Sequence, residues 1–492
     1  MSFYLGIDLG TSAMKLLLLD ENGKIVNSVS RSYPVSFPKP AWSEQNPEDW
    51  WNACTDGIQE LTSNIDKTLI KGIGSGGQMH GLVALDENDK VIRPAILWND
   101  ARTASEVDFL NEEIGKGKLS SLTANIAFAG FTAPKILWLK NNEPENFARI
   151  KKIMLPKDYI NYKLTGVHCT DYSDASGMLL LDVKNKCWSR EMLDICGIGE
   201  ECMPKLFESF DVVGNLIAQS AKELGLPENV KVVAGAGDNA AAAIGTGTVG
   251  GGNCNISLGT SGTVFISAND FCVDSNNALH AFAHADGKYH LMGCMLSAAS
   301  CNKWLCDEIF HTNDYAAEQK NITHEMLGKN RVFFLPYLMG ERSPINDTNA
   351  RATFTGMTMD TTRGDMVLAV LEGVAFAIRD SFEVAKKLGI EISRSKICGG
   401  GAKSRLWCEI FANVLGIPLD IPQTEEGPGY GGAMLAMVGC GLYKTVEECV
   451  GALVKTTATV EPSPEITARY EERYQKFKKI YPAMKNLFAE LQ

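Results

Sequence analysis

A short motif that can bind phosphate occurs twice in this sequence, once near the N-terminus and once past the middle. The two copies are Leu9-Gly10-Thr11-Ser12 and Leu258-Gly259-Thr260-Ser261. A glycine turn exposes backbone N–H groups, and the neighbouring hydroxyls add donors with little bulk. Apolar runs flank both copies, which predicts a β-hairpin around each turn. Two such turns facing each other across a cleft can hold a polyphosphate from both sides; the alternative is two ordinary hairpins without a ligand.

Asp8 precedes the first turn, whereas Ser257 holds the equivalent position before the second. A carboxylate repels a bound phosphate unless a cation lies between them, so Asp8 predicts a Mg²⁺ ion beside this turn. The alternative is that Asp8 only caps the turn.

Asp238 lies in a stretch of small residues, Gly235-Ala236-Gly237-Asp238-Asn239, that four alanines follow. Small neighbours let a ligand approach closely. We therefore expect Asp238 to act as a general base, with Asn239 hydrogen-bonded to a polar substrate. Aspartate is also a good N-cap for the alanine-rich helix that follows, and this is the alternative interpretation.

The loop Gln78-Met79-His80 places polar groups between glycines and is a further candidate for binding a polar substrate. As a lone feature, His80 would more often be structural. The loop is a candidate for substrate binding only in combination with Asp238 and Asn239.

The common nucleotide-binding motifs are missing. No Gly-Lys pair is followed by Ser or Thr, so the sequence contains no Walker A loop. The pattern G-x-G-x-x-G occurs at residues 72–77, 245–250 and 427–432. We predict that none of the three both follows a strand and opens a helix, which excludes a dinucleotide site. His280 and His284 have i,i+4 spacing but no evident acidic partner, so we expect no metal site there.

The elements that must position these residues alternate between strands and helices, which predicts an α/β fold. We predict strands over residues 72–74, 81–85 and 396–398 and helices over residues 365–388, 404–415 and 468–491. The glycine-rich residues 245–252 lie just before the second hairpin and form the predicted boundary and hinge. We therefore expect two related domains, residues 1–246 and residues 247–492, with a cleft between them.

Composition excludes several classes of protein. The 492 residues carry 47 Lys+Arg against 59 Asp+Glu, a net charge of −12, which argues against nucleic acid as a partner. No uncharged apolar run is long enough to span a membrane, and the N-terminus lacks the basic region of a signal peptide. The 14 cysteines are scattered without a zinc pattern, so we expect free thiols and a cytoplasmic protein.

These motifs together resemble the actin/hexokinase/Hsp70 ATPase superfamily. Residues 5–12 resemble its first phosphate motif, residues 255–266 its second, and residues 397–402 with the following helix its adenosine motif. Within the superfamily, the chain resembles the FGGY carbohydrate kinases over nearly its full length. Residues 130–142 match the first signature of that family, and the second signature matches from residue 352 through residue 372.

Among FGGY kinases, the resemblance is to those that phosphorylate D-xylulose. It is carried by residues 42–45, 77–81, 94–100, 155–159, 237–241 and 296–300. It implies two RNase H-like domains with ATP, Mg²⁺ and D-xylulose in the cleft, and it leaves a homodimer open. The sequence departs from the pattern at Ala236, where related enzymes often carry glycine; this leaves the base intact but can alter local packing.

The resemblance also implies a role for individual residues. Asp238 would take the proton from the C5 hydroxyl of the sugar, and Asp8 would act near Mg²⁺. Sugar contacts are implied for Gln78, Met79, His80, Asp238 and Asn239. Nucleotide contacts are expected for Gly10, Thr11, Ser12, Gly259, Thr260, Gly400, Gly401 and Ala402.

Two alternatives stay open. The chain could phosphorylate another ketose or a polyol, because one loop does not settle stereochemistry. It could also be an actin- or Hsp70-like ATPase module, in which the same phosphate turns drive partner binding. The residues assigned to the sugar, and the lack of an evident peptide-binding domain, count against the second alternative.

Overall fold

Two mixed β-sheets, one from each half of the chain, form the framework of this computed structural model. The structure describes residues 1–423 and 426–491. Apart from hairpins such as those of residues 3–20 and 253–268, helices separate many of the strands, so the predicted α/β fold is confirmed.

The first half contains fifteen strands and ten α-helices. The strands are β1 (Phe3–Leu9), β2 (Ala13–Asp20), β3 (Ile25–Ser32), β4 (Glu44–Gln45), β5 (Ile70–Gly77), β6 (Val83–Leu85), β7 (Ala95–Ile96), β8 (Lys152–Met154), β9 (Cys169–Asp171), β10 (Leu181–Asp182), β11 (Cys187–Trp188), β12 (Lys205–Phe207), β13 (Val212–Asn215), β14 (Lys231–Val233) and β15 (Ala236–Gly237). The helices are α1 (Pro47–Leu61), α2 (Ala104–Asp108), α3 (Lys116–Thr123), α4 (Thr132–Asn142), α5 (Pro144–Ala148), α6 (Pro156–Thr165), α7 (Tyr172–Ala175), α8 (Arg190–Cys196), α9 (Ala218–Leu224) and α10 (Asp238–Thr246).

The second half contributes nine strands and eight α-helices among the residues that are described. The strands are β16 (Asn253–Leu258), β17 (Gly262–Ala268), β18 (His280–Ala283), β19 (Tyr289–Met295), β20 (Phe333–Leu335), β21 (Thr353–Thr355), β22 (Arg394–Cys398), β23 (Leu419–Pro422) and β24 (Thr456–Val460). The helices are α11 (Ala299–Trp304), α12 (Tyr315–Gln319), α13 (Arg363–Lys387), α14 (Arg405–Leu415), α15 (Gly427–Gly439), α16 (Val446–Leu453), α17 (Pro464–Phe477) and α18 (Ile480–Glu490).

The two large sheets share one arrangement of strands. Their orders are β13-β14-β5-β1-β2-β3, with β15 also paired to β5, and β18-β19-β17-β16-β22-β23-β24. In each sheet an antiparallel hairpin, β1–β2 or β16–β17, gains a third antiparallel strand on one side. On the other side it pairs in parallel with one later strand, β5 or β22, which in turn pairs in parallel with a second, β14 or β23. This correspondence agrees with the predicted pair of related RNase H-like domains.

Both predicted phosphate turns connect antiparallel strands, as expected. Leu9 pairs with Met14 across the first hairpin, and Leu258 pairs with Gly262 across the second. Strand β1 is almost entirely buried, because the sheet is covered on both faces. Its apolar residues therefore hold Asp8 and the following turn in a fixed position.

Glycines let helix α15 lie directly on the first sheet beside Asp8. A Cβ atom placed on Gly6 would lie 1.9 Å from the carbonyl oxygen of Gly429, and one on Gly74 would lie 2.0 Å from that of Gly432. The pattern at residues 427–432 follows strand β23 and opens helix α15, so our prediction about its context was wrong. Its glycines allow close packing of helix on sheet, which needs no nucleotide to explain it.

Residues 468–491 do not form one continuous helix as predicted. Helix α17 ends at Phe477, and helix α18 begins at Ile480. Pro482 explains the break, because inside a continuous helix its ring would clash with the carbonyl of Lys478, four residues earlier. Proline is tolerated in the first turn of a helix, where it lies in α18.

The other predicted elements are present, with shifts at their ends. Helix α13 has Thr362 as its N-cap, with a reciprocal contact to Asp365, and extends two residues before the predicted start. Helix α14 begins at Arg405, and the Ser404 side chain caps it. The strand predicted over residues 81–85 is shorter, since β6 begins at Val83.

The first residues of the predicted hinge are part of helix α10 and pack against helix α15. Gly245 lies inside helix α10, and a Cβ atom there would be 2.2 Å from the carbonyl oxygen of Gly427. Gly247, Gly250 and Gly252 follow with positive φ values of 78°, 77° and 80°. The hinge prediction therefore stays with residues 247–252. None of the described helices is long and apolar enough to cross a membrane.

Candidate active site

Side chains from other parts of the first half hold the first phosphate turn. The Nε2 of Gln45 donates to the Thr11 carbonyl at 2.6 Å, and the Nε1 of Trp98 donates to Thr11 Oγ1 at 2.9 Å. The hydroxyl of Tyr33 donates to the Gly10 carbonyl at 2.5 Å. These bonds use only acceptors of the turn, namely two carbonyl groups and one hydroxyl oxygen. They therefore fix the turn without using its backbone N–H groups.

Asp8 is a carboxylate in an unfavourable electrostatic setting. Its pKa is raised to about 7, mainly by burial and also by the charges of Asp238 and Glu426, against the opposing charge of Lys15. Lys15 is the partner of Asp8 in the strand register and forms an ion pair with Glu426 at 2.5 Å. A carboxylate held at this cost has a strong tendency to bind a proton or a cation.

Asp238 is the first residue of helix α10, one position inside Gly237, which holds the N-cap position. Its Oδ1 accepts from the backbone N–H of Asn239 at 2.7 Å and from Asn239 Nδ2 at 2.9 Å. Burial raises the pKa of Asp238 to about 6, although both bonds from Asn239 oppose the shift. The side chain therefore satisfies one helix-terminal amide and also has the pKa of a base that works near neutral pH.

A buried ionic cluster lies behind Asp238. Lys157 Nζ lies 2.7 Å from Asp158, 3.1 Å from Asp171 and 3.8 Å from Asp174, and all four side chains are fully buried. Burial opposes the charge on Lys157, but the three carboxylates outweigh burial and raise its pKa. Burial also raises the pKa of Asp174, and Asp158, Asp171 and Asp238 add to the rise against the effect of Lys157.

Met79 and His80 lie against the residues around Asp238. A Cβ atom on Gly237 would lie 3.0 Å from Met79 Cγ and Sδ. The absence of a side chain at Gly237 therefore allows Met79 to pack against this backbone. His80 has a φ of 69°, and its Nδ1 lies 2.7 Å from the Gly177 carbonyl. Burial, opposed by the bond to Gly177, lowers the pKa of His80 to about 3, so the ring is neutral. The structure brings this loop and Asp238 together, as predicted.

Two further side chains fix the loop. Gln78 Nε2 donates to Gln45 Oε1 at 3.1 Å, which connects the loop with the first phosphate turn. Lys135 is fully buried, and its Nζ donates to the carbonyl of His80 at 2.8 Å and to that of Gly130 at 2.5 Å. Lys135 lies in the segment that resembles the first family signature, but its role was missed because nothing in the sequence shows which backbone it contacts.

The predicted nucleotide residues of the second half lie around one cavity of about 610 Å³. Gly259, Thr260, Gly400 and Gly401 all line it. Ala402 does not line it; its backbone N–H donates to Gly399, and its carbonyl accepts from Cys408 Sγ. The assignment of Ala402 to the nucleotide is thus not supported by its position.

Sequence reasoning missed most of the other residues around this cavity. They are Leu258, Ala299, Ser300, Asn302, Lys303, Asn313, Asp314, Tyr315, Ala316, Gln319, Lys403, Ser404 and Trp407. Ser300 is the last residue of the segment 296–300, which carries part of the family resemblance. Residues 302–319 match no motif, so nothing in the sequence indicated that they line a cavity.

The histidines at 280 and 284 do not form a metal site. His280 lies on strand β18, and His284 Nε2 lies 2.9 Å from the Thr248 carbonyl and 3.9 Å from Asp286. Asp286 is the acidic partner that the sequence did not reveal. No cluster of three His, Cys, Asp or Glu side chains that could hold a metal occurs in residues 1–423 and 426–491.

Asp8 nevertheless fits the Mg²⁺ ion that the resemblance implies. This ion keeps several waters and is bound through one or two carboxylates together with substrate phosphates, so it needs no cage of protein ligands. The raised pKa of Asp8 is consistent with a carboxylate whose charge a cation would compensate. All 14 cysteines are free thiols, as expected.

Comparisons with known proteins agree over the whole chain. Two family models match, the N-terminal domain of the FGGY family of carbohydrate kinases at residues 3–245 and its C-terminal domain at residues 254–440. A xylulose kinase from Escherichia coli (strain K12) is 39% identical over 492 residues, covering 99% of this chain and all of the relative. The crystal structure of a xyloylose kinase from Brucella ovis has 40% identity and a TM-score of 0.94, covering 99% of this chain and 100% of that one. A gluconate kinase from Lactobacillus acidophilus also has a TM-score of 0.94, at 28% identity and with full coverage of both chains.

Proposed function

The chain belongs to the FGGY family of carbohydrate kinases, and we propose that it transfers the γ-phosphoryl group of ATP to the C5 hydroxyl of D-xylulose. The xylulose kinases among its relatives support this substrate, since they match at close to 40% identity over nearly the full chain. The observation that carries the chemistry is the position of Asp238, half-buried directly after the Gly237 that Met79 packs against, with a pKa of about 6. A non-kinase ATPase module would have no use for this pair of features.

Asp238 acts in this proposal as the general base. At neutral pH a carboxylate with a pKa of about 6 is mostly ionised, and it is more basic than an ordinary aspartate. It takes the proton from the C5 hydroxyl as the oxygen attacks the γ-phosphorus in line. Its bonds from Asn239 orient the carboxylate toward the acceptor.

Asp8 would hold Mg²⁺ in the phosphate site. When bound, the ion neutralises the negative charge on the phosphate oxygens. The residue itself contributes a carboxylate near the end of β1, two positions before a turn in which the N–H of Gly10 donates to the Ala13 carbonyl and Thr11 and Ser12 follow. Phosphoryl transfer depends mainly on such positioning and charge compensation, so the turn and Asp8 act as one unit.

The nucleotide is assigned to the cavity of the second half. Gly259 and Thr260 would contact the phosphates, and Gly400 and Gly401 would lie along the adenosine. The volume of this cavity, about 610 Å³, is within the range of volumes typical of small-molecule binding sites. The phosphate chain would then run from this cavity toward Asp8.

The sugar is assigned to the loop of the first half. Gln78, Met79, His80 and Asn239 would contact it, with His80 neutral and its Nδ1 occupied by Gly177. The Nε2 of His80 is then an acceptor for a sugar hydroxyl. We divide the chain into domains at residues 1–246 and 247–492, with closure about residues 247–252 excluding water. A homodimer and a cytoplasmic location stay predictions.

A coupled assay of ADP release tests the function. The acceptors are D-xylulose, other ketopentoses, pentitols, gluconate and glycerol, each at several concentrations. We expect the highest kcat/KM with D-xylulose. A higher value with gluconate or a polyol would move the chain to another substrate within the family, and ADP release that no acceptor stimulates would contradict the kinase assignment.

A further inference from the structure

Arg342 crosses from the second half of the chain to the sugar loop of the first. It follows strand β20 in sequence, yet its guanidinium carbon lies 5.2 Å from the ring centre of Phe128. Phe128 in turn packs at 5.7 Å against Phe131, whose ring lies 4.8 Å from that of His80. A cationic donor from one half thus borders the loop that is assigned to the sugar in the other.

The backbone on both sides of Arg342 is fixed. Glu341 Oε1 accepts from the N–H of Leu296 at 2.9 Å and from the N–H of Arg342 at 2.8 Å. The N–H of Ser343 donates to the Cys294 carbonyl at 3.0 Å, at the end of strand β19. Because β19 belongs to the second sheet, the arginine is carried by a rigid element rather than by a loose loop.

The guanidinium lies near the Phe128 ring and bonds to the Cys294 thiol, and its charge acts on the neighbouring Glu341 without forming an ion pair with it. Within the part of the chain that the structure covers, no carboxylate oxygen lies within 4.0 Å of it. Burial lowers the pKa of both His80 and His280, and the charge of Arg342 contributes to each shift. An arginine that has no carboxylate partner at the edge of a substrate site is available to a ligand oxygen.

The other donors around the sugar loop are partly committed to bonds within the protein. Lys135 Nζ donates to the carbonyls of His80 and Gly130, Gln78 Nε2 donates to Gln45, and Asn239 Nδ2 donates to Asp238. The Nδ1 of His80 is taken by the Gly177 carbonyl, which leaves Nε2 of the neutral ring as an acceptor. Each of the other three donors keeps one N–H, whereas a guanidinium carries five, so Arg342 is the group around the loop with the most N–H donors to offer a substrate.

The chemistry of the acceptor requires such a donor. A ketopentose closes its furanose ring through the C5 hydroxyl, so that hydroxyl can attack a phosphate only when the sugar is open-chain. The reacting form therefore has a free ketone at C2. Burying a carbonyl oxygen without a hydrogen bond is costly, and a site built to bond it rejects analogues that lack it.

We propose that Arg342 donates a hydrogen bond to the C2 carbonyl oxygen of the open-chain ketose and that this contact makes the kinase prefer ketoses to polyols. The proposal rests on the proposed function, since it needs D-xylulose bound with C5 at Asp238. The opposite end of the sugar then points away from Asp238, toward the histidine and phenylalanine cluster that Arg342 borders.

The experiment compares D-xylulose with the two pentitols made by reducing its C2 carbonyl, xylitol and D-arabinitol. We measure kcat/KM for all three acceptors with the wild type, Arg342→Met and Arg342→Lys, and the KM for ATP in each. A hydrogen bond to a charged group predicts that Arg342→Met loses about 10- to 150-fold with D-xylulose. We expect the pentitols and the KM for ATP to change by less than about 3-fold, and Arg342→Lys to recover part of the loss. Arg149→Met is the matched control, because Arg149 is half-exposed and pairs with Asp86 on the surface.

The outcomes separate this inference from the proposed function. If the wild type does not prefer D-xylulose to the pentitols, the proposed function fails. If the wild type does prefer it and Arg342→Met keeps that preference, the inference is wrong. Equal losses on all three acceptors would also overturn it, because they would show that Arg342 only joins the two halves through Phe128. Thermal melts establish that each variant is folded, and Arg342→Lys gives the same test if Arg342→Met is not.

Discussion

The backbone N–H of Gly237 donates to Ser173 Oγ at 3.2 Å, so the residue directly before Asp238 is tied to the buried ionic cluster. Ser173 Oγ also donates to Asp171 Oδ2, and Asp171 pairs with Lys157. The start of helix α10 is thereby connected through one hydroxyl to a fully buried ammonium group. The proposed role of Asp238 as a general base requires a fixed direction as well as a suitable pKa, and this connection fixes the backbone directly before it.

Replacing Ser173 by alanine tests this positioning. Ser173→Ala leaves the N–H of Gly237 without its partner, which costs about 1–3 kcal/mol for a buried group. We expect kcat to fall by up to ~10²-fold, because small displacements of a reacting group have effects of that size. Steady-state kinetics and a thermal melt give both values.

Ser209→Ala is the matched control. Ser209 is as buried as Ser173, and its Oγ donates to the same Asp171 Oδ2 at 2.8 Å. It makes no hydrogen bond to Gly237 among those that the structure gives. The control should lose comparable stability and keep its kcat; equal losses of kcat in both variants would show that the cluster acts through stability alone.

Replacing Asp8 by asparagine should separate activity from stability. If Asp8 holds Mg²⁺, the apparent Mg²⁺ requirement should rise by at least ~10-fold, since even indirect partners of a metal are worth 10–100-fold. Titrating Mg²⁺ at saturating ATP and sugar checks this. Normal turnover of Asp8→Asn at low Mg²⁺ would show that Asp8 only shapes the turn.

The same variant carries a prediction about pH. Burial raises the pKa of Asp8 from 3.8 to about 7, so between these values the folded chain binds a proton that the unfolded chain has lost. The contribution of Asp8 to wild-type stability therefore falls as pH rises from about 4 to 7, and Asp8→Asn lacks this contribution. The melting temperature of Asp8→Asn relative to the wild type should increase from pH 4 to pH 8 in Mg²⁺-free buffer. A difference that does not change with pH would contradict the raised pKa.

The parts of the site that lie in one stretch of sequence could be predicted. Asp8 with its turn, and Asp238 with the small residues around it, depend on local patterns that survive folding. The contacts of Lys157 with Asp171 and Asp174 could not be predicted, because they depend on how helix α6 docks against helix α7. The same holds for the bond from Gln45 to Thr11, which joins residues 34 positions apart.

Some errors came from signals that the sequence did contain. Pro482 marks the break between α17 and α18, but the apolar spacing on both sides suggested one helix. The glycines at residues 427–432 lie at the start of a helix. They allow α15 to pack closely on β1 and β5, and this packing explains them without a ligand. Which surface a glycine-rich helix meets is decided by tertiary packing, so spacing alone could not assign it.

The packing of α15 on β1 makes a prediction about stability. In Gly6→Ala the new Cβ would lie 1.9 Å from the carbonyl oxygen of Gly429, so strand and helix must separate next to Asp8. We expect a loss of at least about 1–3 kcal/mol. Gly451→Ala is the control, because Gly451 lies in helix α16 with no atom within 4 Å of its added Cβ. It should stabilise the chain by roughly 0.5–1 kcal/mol. Urea unfolding of both variants checks the pair, and similar effects would contradict close packing at Gly6.

The last prediction concerns Asp238. Asp238→Asn keeps the shape of the side chain and an oxygen that accepts from Asn239, so we expect a folded protein that still binds sugar. It loses basicity, and a positioned base contributes ~10²–10⁴-fold, so kcat should fall by about that factor. Asp238 lies one position inside the N-cap, Gly237, and asparagine can keep the bond that its Oδ1 accepts from the N–H of Asn239. A role limited to the start of α10 therefore predicts a stable and active variant.

The pH dependence distinguishes the two roles of Asp238 in the wild type. A base works in its ionised form, so kcat/KM for the sugar should rise with pH through about 6, the pKa to which burial raises Asp238. Asp238→Asn should lose this rise along with most of its turnover. The measurement is kcat/KM from pH 5 to 8 for both proteins, with sugar binding followed by calorimetry. Near-normal kcat in a stable Asp238→Asn variant would show that the base lies elsewhere.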